Sequence, residues 1–172
     1  MKREIPVLLL VYNRPEETVR VLQRLQKCGI TQLYISADAP KNVADKVLTD
    51  AVSSAILDYA FIIKNKQLSS TNKGCKNGVL SGINWFFNQV DEGIILEDDC
   101  LPNSDFFNFC SELLIKYRNE NVVKMIGGII RLGHLNLRKD IFLAELPQFG
   151  VGQLGKIVGK ISIPSSPNLK IL

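Results

Sequence analysis

The feature that most constrains the fold of this chain is an unbroken apolar run near its start. Residues Ile5 to Val11 carry no polar side chain, and Tyr12-Asn13-Arg14-Pro15 follows directly. A strand that is apolar on both faces must be covered on both sides, as in parallel sheets flanked by helices. The run therefore predicts an interior strand of a parallel sheet that ends in a polar loop.

Helical and strand patterns alternate after this first strand. Pro15 can open a helix, Glu16 and Glu17 suit its first turn, and apolar residues then recur at helical spacing. The further predicted elements are a strand Gln32 to Ser36, a helix Val43 to Leu57, a strand Phe61 to Ile63, a loop Lys64 to Asn77 leading into a helix, a strand Gly93 to Leu96, a helix that starts within Leu101 to Ser104, and an apolar segment Val122 to Ile130. This alternation predicts an open, mostly parallel α/β sheet, in which ligands bind beyond the carboxyl ends of the strands.

Composition and charge exclude several classes of protein. With 172 residues and 46% hydrophobic content, the chain is long enough for one globular unit. Its 21 basic and 17 acidic residues are spread along the sequence, so no basic cluster indicates a nucleic-acid partner. No apolar run is long enough for a signal peptide or a transmembrane segment, and the four cysteines form no CxxC pair. We expect free thiols and a cytoplasmic protein, at most peripheral at the inner membrane face.

The acidic triplet Glu97-Asp98-Asp99 follows the apolar strand Gly93 to Leu96 without a spacer. Three adjacent carboxylates repel one another and resist desolvation unless a cation or a hydrogen-bonding ligand offsets their charge. Oxygen ligands favour a hard ion, Mg²⁺ or Mn²⁺, held by one or two carboxylates while a diphosphate fills other positions. The alternative is a solvated surface turn in which Asp99 helps to cap the next helix.

Polar residues also follow the first two predicted strands. Arg14 can pair with a phosphate, while Tyr12 and Asn13 can frame a base or a ribose. An arginine exposed on a surface loop is the alternative. Asp38 can accept a hydrogen bond from a uracil ring nitrogen, although Asp-Ala-Pro is also an ordinary turn.

The segment Asn72 to Gly78 supplies glycines, amides and two lysines next to a predicted helix start. Such groups suit phosphates or sugar hydroxyls, which makes Asn72 and Gly74 candidate binding residues. The Walker A spacing is absent, which disfavours a P-loop nucleotidase. His134 is the only histidine, so a His-ligated zinc site or a catalytic triad would depend on it alone. We expect it to be structural or exposed.

In chain order, these segments resemble bacterial GT-A nucleotide-diphospho-sugar transferases related to the N-acetylglucosaminyltransferase I family. The resemblance is carried by Val7 to Pro15, Ile35 to Asp38, Asn72 to Gly74 and Ile94 to Pro102. It covers roughly residues 5–130, and the Leu-Glu-Asp-Asp element with its flanks is the specific part. It implies a GT-A fold and a metal-dependent transfer of sugar from a UDP-sugar donor to a saccharide or lipid-linked acceptor.

The resemblance also implies roles for individual residues. It assigns Mn²⁺ or Mg²⁺ to Asp99 and brings Asp98 and Glu97 close to the ribose and the donor sugar. It assigns nucleotide contacts to Arg14 and Asp38, with uridine as the usual base. It identifies no catalytic base in this chain, so the catalytic residue is unknown.

The resemblance stops at about residue 142. Family members continue there with a tryptophan-rich stretch and acceptor-side residues, whereas this chain has four glycines between residues 150 and 159 that break any regular period. Glycine codons begin with GG, so a shifted reading frame can turn each glycine into tryptophan. In that frame Ala144 to Gly155 can be back-translated as Ser-Arg-Ile-Ala-Ser-Ile-Trp-Gly-Trp-Ala-Thr-Trp. We hypothesise a frameshift near Phe142, with 1–141 as the nucleotide-sugar-binding domain and 142–172 as an irregular, out-of-frame tail.

Two other functions stay open at this point. The chain can be a non-catalytic, nucleotide-sugar-binding remnant of such an enzyme. It can also be a sugar-1-phosphate nucleotidyltransferase, which shares the architecture but needs a glycine-rich basic loop after the first strand. The corresponding segment here, Tyr12 to Glu17, contains no glycine.

Overall fold

The sheet of the computed structural model contains seven described strands: β1 Val7–Val11, β2 Leu33–Ala37, β3 Ile63–Leu68, β4 Glu92–Glu97, β5 Met125–Ile129, β6 Asp140–Ala144 and β7 Lys156–Val158. Their order is β3-β2-β1-β4-β7-β5-β6. The first four are parallel neighbours, β7 is parallel to β4 and β5, and β6 is antiparallel to β5. The structure describes residues 4–119, 125–129, 140–144 and 156–158, with side chains up to residue 119.

Four described helices cover the two faces of the sheet: α1 Pro15–Lys27, α2 Val43–Asp58, α3 Gly74–Phe87 and α4 Ser104–Tyr117. Successive side chains of a strand point to opposite faces. Val7 and Leu9 of β1 pack with α1, α2 and α4 in one core, while Leu8 and Leu10 pack with Phe86 of α3 in the other. The predicted parallel α/β sheet flanked by helices is confirmed for these four strands and helices.

The helix starts follow the local sequence signals. Pro15 is the first residue of α1, and Glu16 and Glu17 lie in its first turn. The side chain of Asn42 caps α2, and that of Asn103 caps α4. Each asparagine side chain accepts a backbone N–H that has no partner within its own helix, which fixes where the helix begins.

The third strand lies later in the chain than predicted. A 3₁₀ turn, Ala60–Ile62, occupies most of the range predicted as strand, and β3 runs through the start of the predicted loop. β3 is at the edge of the sheet, and its residues 64–66 are exposed. Edge strands commonly carry lysine and other polar residues, so β3 lacks the apolar pattern that would have identified it.

The tail also differs from its prediction. No regular structure was expected after about residue 142, yet β6 crosses that boundary and β7 pairs with both β4 and β5. Ile157 and Val158 are β-branched, and β4 offers them a strand to pair with. An irregular tail was predicted from the four glycines between residues 150 and 159, and that prediction did not take the short apolar segment of β7 into account. The division at residue 142 itself stays a prediction.

Two further observations concern the described residues. All four cysteines, Cys28, Cys75, Cys100 and Cys110, are free. In the part of the chain that the structure describes, no helix combines the length and the apolar character needed to cross a bilayer.

Candidate functional site

The direction in which strands are added reverses between β1 and β4. The chain adds β2 and then β3 on one side of β1, and it returns to place β4 on the other side. Helices α1 and α2 lie on one face of the sheet and α3 lies on the opposite face. The loops after β1 and β4 therefore diverge, and open α/β sheets bind ligands in the crevice at such a point.

A cleft of about 400 Å³ opens at this carboxyl edge of the sheet. It brings together residues that lie up to 89 positions apart in the chain, from Leu10 to Asp99. Eight of the nine site residues predicted from sequence line it, namely Tyr12, Arg14, Asp38, Asn72, Gly74, Glu97, Asp98 and Asp99. The ninth, Asn13, does not line the cleft.

Arg14 connects the ends of the two central strands. Its Nη1 atom donates to Asp98 Oδ1 at 3.2 Å and to Asp99 Oδ2 at 3.4 Å. The guanidinium is about half exposed, whereas the Asp98 side chain is 10% exposed and that of Asp99 is 39% exposed. The negative charge of Asp98 is the largest cause of a raised pKa at Arg14. One cation thus serves two carboxylates at the mouth of the cleft.

Asp98 is the buried member of the triplet. Burial is the largest cause that raises its pKa, to about 6, and the charges of Asp99 and Glu97 raise it further. Arg14 and the backbone N–H of Tyr12 act in the opposite direction. A cleft carboxylate whose pKa is shifted by burial and by specific charge partners is typical of a functional site.

The turn after β4 gives Asp99 its outward position. The Cys100 N–H donates to the Glu97 carbonyl at 3.0 Å, and the Cys100 thiol donates to Asp99 Oδ1 at 3.6 Å. Burial raises the pKa of Cys100 to about 12, so its thiol stays protonated. The alternative in which Asp99 caps the next helix is wrong, because Asn103 Oδ1 accepts the Phe106 N–H at 2.9 Å.

Asp38 is held by backbone groups. Its carboxylate accepts N–H bonds from Ala39 at 3.0 Å, from Lys73 at 3.0 and 3.1 Å, and from Gly74 at 3.1 Å. Because α3 begins at Gly74, Asp38 caps this helix from a different part of the chain. Its negative charge also faces the positive end of the helix dipole. Asp38 therefore has a structural role here, and its contact with a uracil nitrogen stays a prediction.

Asp45, on the first turn of α2, organises the polar residues after β1. Its carboxylate accepts the Tyr12 hydroxyl at 2.8 Å and the Asn13 amide at 2.9 Å. These two bonds, that of Tyr12 first, lower the pKa of Asp45. The Asn72 amide donates to the Ala39 carbonyl at 2.6 Å and reaches the Tyr12 hydroxyl at 3.4 Å. Tyr12 and Asn72 thus form one wall of the cleft, while Asn13 is turned towards Asp45.

Gly74 and Gly78 of α3 line the cleft, and Gly82 lies one turn further along the same helix. Gly74, Gly78 and Gly82 lie four residues apart and therefore share one side of the helix. A Cβ atom at Gly82 would lie 2.7 Å from Ser36 Oγ, and one at Gly78 would lie 3.2 Å from Asp38 Oδ2. The helix can approach the sheet closely because Gly82 and Gly78 carry no side chain at these contacts. The spacing of four was the signal in the sequence that would have identified this face.

The donor set of the acidic triplet suits a hard cation. In the described ranges, no group of three or more His, Cys, Asp or Glu side chains has an arrangement that could hold a metal ion. Mg²⁺ is commonly held by one or two carboxylates, with phosphates and waters as its other ligands. Metal binding at Asp99 stays a prediction. His134 lies outside the described residues.

Comparison of the chain with protein-family models, with curated proteins and with solved structures found no match. Function therefore has to be inferred from the cleft itself. Across it, the acidic end of β4 and the arginine after β1 face the start of α3.

Proposed function

We propose that this chain binds a UDP-sugar as the donor-binding part of a metal-dependent glycosyltransferase of the GT-A type, which transfers the sugar to a saccharide or lipid-linked acceptor. The observation that carries the proposal is the meeting of Arg14 with Asp98 and Asp99 at the switch point between β1 and β4. Ligands of open α/β sheets bind at this point. The class of ligand comes from the resemblance of the motifs that build the cleft.

The charges at the mouth of the cleft suit a diphosphate with a divalent cation. Arg14 offers a planar guanidinium to phosphate oxygens. Asp99, the more exposed of the two paired acids, offers carboxylate oxygens to Mn²⁺ or Mg²⁺. A bound ion of this kind neutralises negative charge on a departing diphosphate.

The opposite end of the cleft suits the nucleoside. Tyr12 and Asn72 present an aromatic ring and an amide on one wall, and α3 lies on the other. We assign the base to this end, and the ribose and sugar to the side of Asp98 and Glu97. The cleft volume of about 400 Å³ lies within the usual range for small-molecule sites, roughly 300 to 1,000 Å³.

Metal-dependent binding of UDP tests the proposal. Isothermal titration calorimetry with and without Mn²⁺ should show tighter binding of UDP with the metal. Asp99→Ala should weaken the metal-dependent binding by at least about 10-fold, since even the loss of a group supporting a metal ligand has effects of this size. Asp50→Ala is the matched control, because Asp50 is an exposed carboxylate on α2 that pairs with Lys46. Unchanged binding in Asp99→Ala would remove the metal assignment.

A second measurement separates a transferase from a binding module. The purified chain is incubated with Mn²⁺ and UDP-sugars, and released UDP is quantified. Release that is lost in Asp99→Ala supports the enzyme, whereas UDP binding without release supports a non-catalytic module. A sugar-1-phosphate nucleotidyltransferase would instead release pyrophosphate from UTP and a sugar 1-phosphate. We expect no such release, since Tyr12 to Glu17 contains no glycine.

A further inference from the structure

The guanidinium of Arg14 lies on the same carboxylates that the proposed metal would use. A single nitrogen, Nη1, contacts both Asp98 and Asp99, at 3.2 and 3.4 Å. Both distances are longer than the roughly 2.7 to 2.9 Å of a strong charge-assisted bond. The Arg14 side chain is also 53% exposed. The pair with Asp99 joins two partly exposed side chains, and ion pairs of this kind contribute little stability, so the guanidinium can leave Asp99 at small cost.

Among the basic side chains that the structure describes, that of Arg14 forms ion pairs with both Asp98 and Asp99 within 4.0 Å. Lys73, near the other end of the cleft, directs its Nζ to Ser81 Oγ at 2.6 Å. A divalent cation would be attracted to the same two carboxylates and repelled by the guanidinium. A diphosphate attracts both cations and offers the guanidinium other oxygen atoms to bind.

We infer that Arg14 is the internal counter-cation of Asp98 and Asp99 and that it couples metal binding to diphosphate binding. This inference rests on the proposed function and adds the regulation of its site. When no diphosphate is bound, Arg14 opposes the metal ion by occupying the acids. When a diphosphate binds, the guanidinium moves to phosphate oxygens, and the acids become available to the metal. Metal and nucleotide therefore bind as a pair.

Mn²⁺ binding without nucleotide gives a direct test. Free Mn²⁺ is measured by electron paramagnetic resonance in titrations of wild type, Arg14→Gln and Arg14→Lys. Without UDP, Arg14→Gln should bind Mn²⁺ about 5-fold more tightly than wild type, the scale expected when a weak competing ion pair is removed. Arg14→Lys keeps the charge and should lie between the two. Arg20→Gln, an exposed arginine on the same helix, should match wild type.

The same titrations with saturating UDP measure the coupling. UDP should raise the Mn²⁺ affinity of wild type by a larger factor than that of Arg14→Gln. Thermodynamic linkage requires Mn²⁺ to raise UDP affinity by the same factor, which calorimetry checks independently. The main chain of Arg14 is unaffected by these changes, because its carbonyl accepts the Thr18 N–H and hydroxyl at the start of α1. Thermal unfolding by circular dichroism verifies that each variant is folded.

The outcomes distinguish the two levels of the proposal. Equal or weaker Mn²⁺ binding by Arg14→Gln, together with metal-dependent UDP binding by wild type, overturns the counter-cation role and leaves the proposed function intact. Failure of wild type to bind both Mn²⁺ and UDP, alone or together, overturns the proposed function and this inference with it. Tighter Mn²⁺ binding with reduced coupling in Arg14→Gln supports both.

Discussion

Asp38 and Asp99 lie at the same edge of the sheet, beyond the carboxyl ends of β2 and β4, but different kinds of partner hold them. Asp38 binds the backbone N–H groups of Lys73 and Gly74, whereas Asp99 contacts the side chains of Arg14 and Cys100. Backbone donors cannot leave without disturbing the start of α3. Side-chain donors can rotate away when a ligand binds. A position beyond a strand thus indicates the binding edge, and the partners indicate which carboxylate a ligand can use.

Removing the charge of Asp98, which is next to Asp99, should have the largest effect on the stability of the folded state. Its pKa in the folded protein is raised to about 6, against 3.8 for the unperturbed group. Below pH 3.8 it is protonated in both states and contributes nothing. As the pH rises from 3.8 to 6, the unfolded state ionises first, so the stability of the folded state falls; above 6 the cost is constant. At pH 7 this cost is about 3 kcal/mol at most.

Asp98→Asn should therefore be more stable than wild type at pH 7.5 and similar to it near pH 3.5. Urea unfolding at several pH values, without metal or nucleotide, measures the difference. Asp50→Asn, at an exposed site on α2, should show no such pH dependence. A stability difference between Asp98→Asn and wild type that is constant across this pH range would contradict a buried charge at this position. The same substitution should weaken metal-dependent UDP binding, since Asp98 belongs to the proposed site.

The next largest effect separates Asp38 from Asp99 directly. Asp38→Ala should lower the free energy of unfolding by about 2 kcal/mol, because it removes a helix cap and leaves backbone N–H groups without their partner. Asp99→Ala should change it by less than about 0.5 kcal/mol, since its side chain is partly exposed. Urea unfolding at pH 7.5 measures both values. Equal losses in the two variants would mean that the distinction between backbone-held and side-chain-held carboxylates has no energetic basis.

The interior of the sheet and its acidic edge could be predicted from the sequence because both depend on local patterns. The aliphatic run of β1 requires cover on both faces, and all five of its side chains are buried. The apolar residues of β4 lead straight into Glu97 to Asp99, so the order of residues alone puts these acids at a strand end. Arg14 after β1 follows from the same logic, since neighbouring parallel strands end at the same edge.

What the sequence could not reveal depends on contacts between distant segments. From the sequence alone, Asp38 fits an ordinary turn. Its helix-capping role could not be predicted, because its backbone partners lie 35 and 36 residues later. Asp45 belongs to the site only through bonds to Tyr12 and Asn13, more than 30 residues earlier. The edge strand β3 was not predicted at its actual position, because its polar residues carry no alternating pattern. In each case the missing information was the spatial neighbour.

The smallest predicted effect compares two glycines that are alike in the backbone and differ in their surroundings. Gly74 and Gly29 have φ angles of +75° and +72°, and nothing lies within 4 Å of a Cβ atom built on either. Alanine should therefore cost about 1 kcal/mol at each site through backbone strain alone. Asparagine should cost less than alanine at both, since it tolerates the left-handed conformation. Urea unfolding measures these four variants.

Only one of these glycines belongs to the cleft. The Gly74 N–H donates to Asp38, whereas Gly29 lies beyond the end of α1 and its N–H donates to the Gln26 carbonyl. Alanine at position 74 should therefore weaken metal-dependent UDP binding as well as stability, because the strained backbone lies at the start of α3 on the wall of the cleft. Gly29→Ala should lose the same stability and keep its UDP affinity. Equal losses of affinity in the two variants would show that binding follows overall stability and that the backbone donors around Asp38 do not shape the cleft.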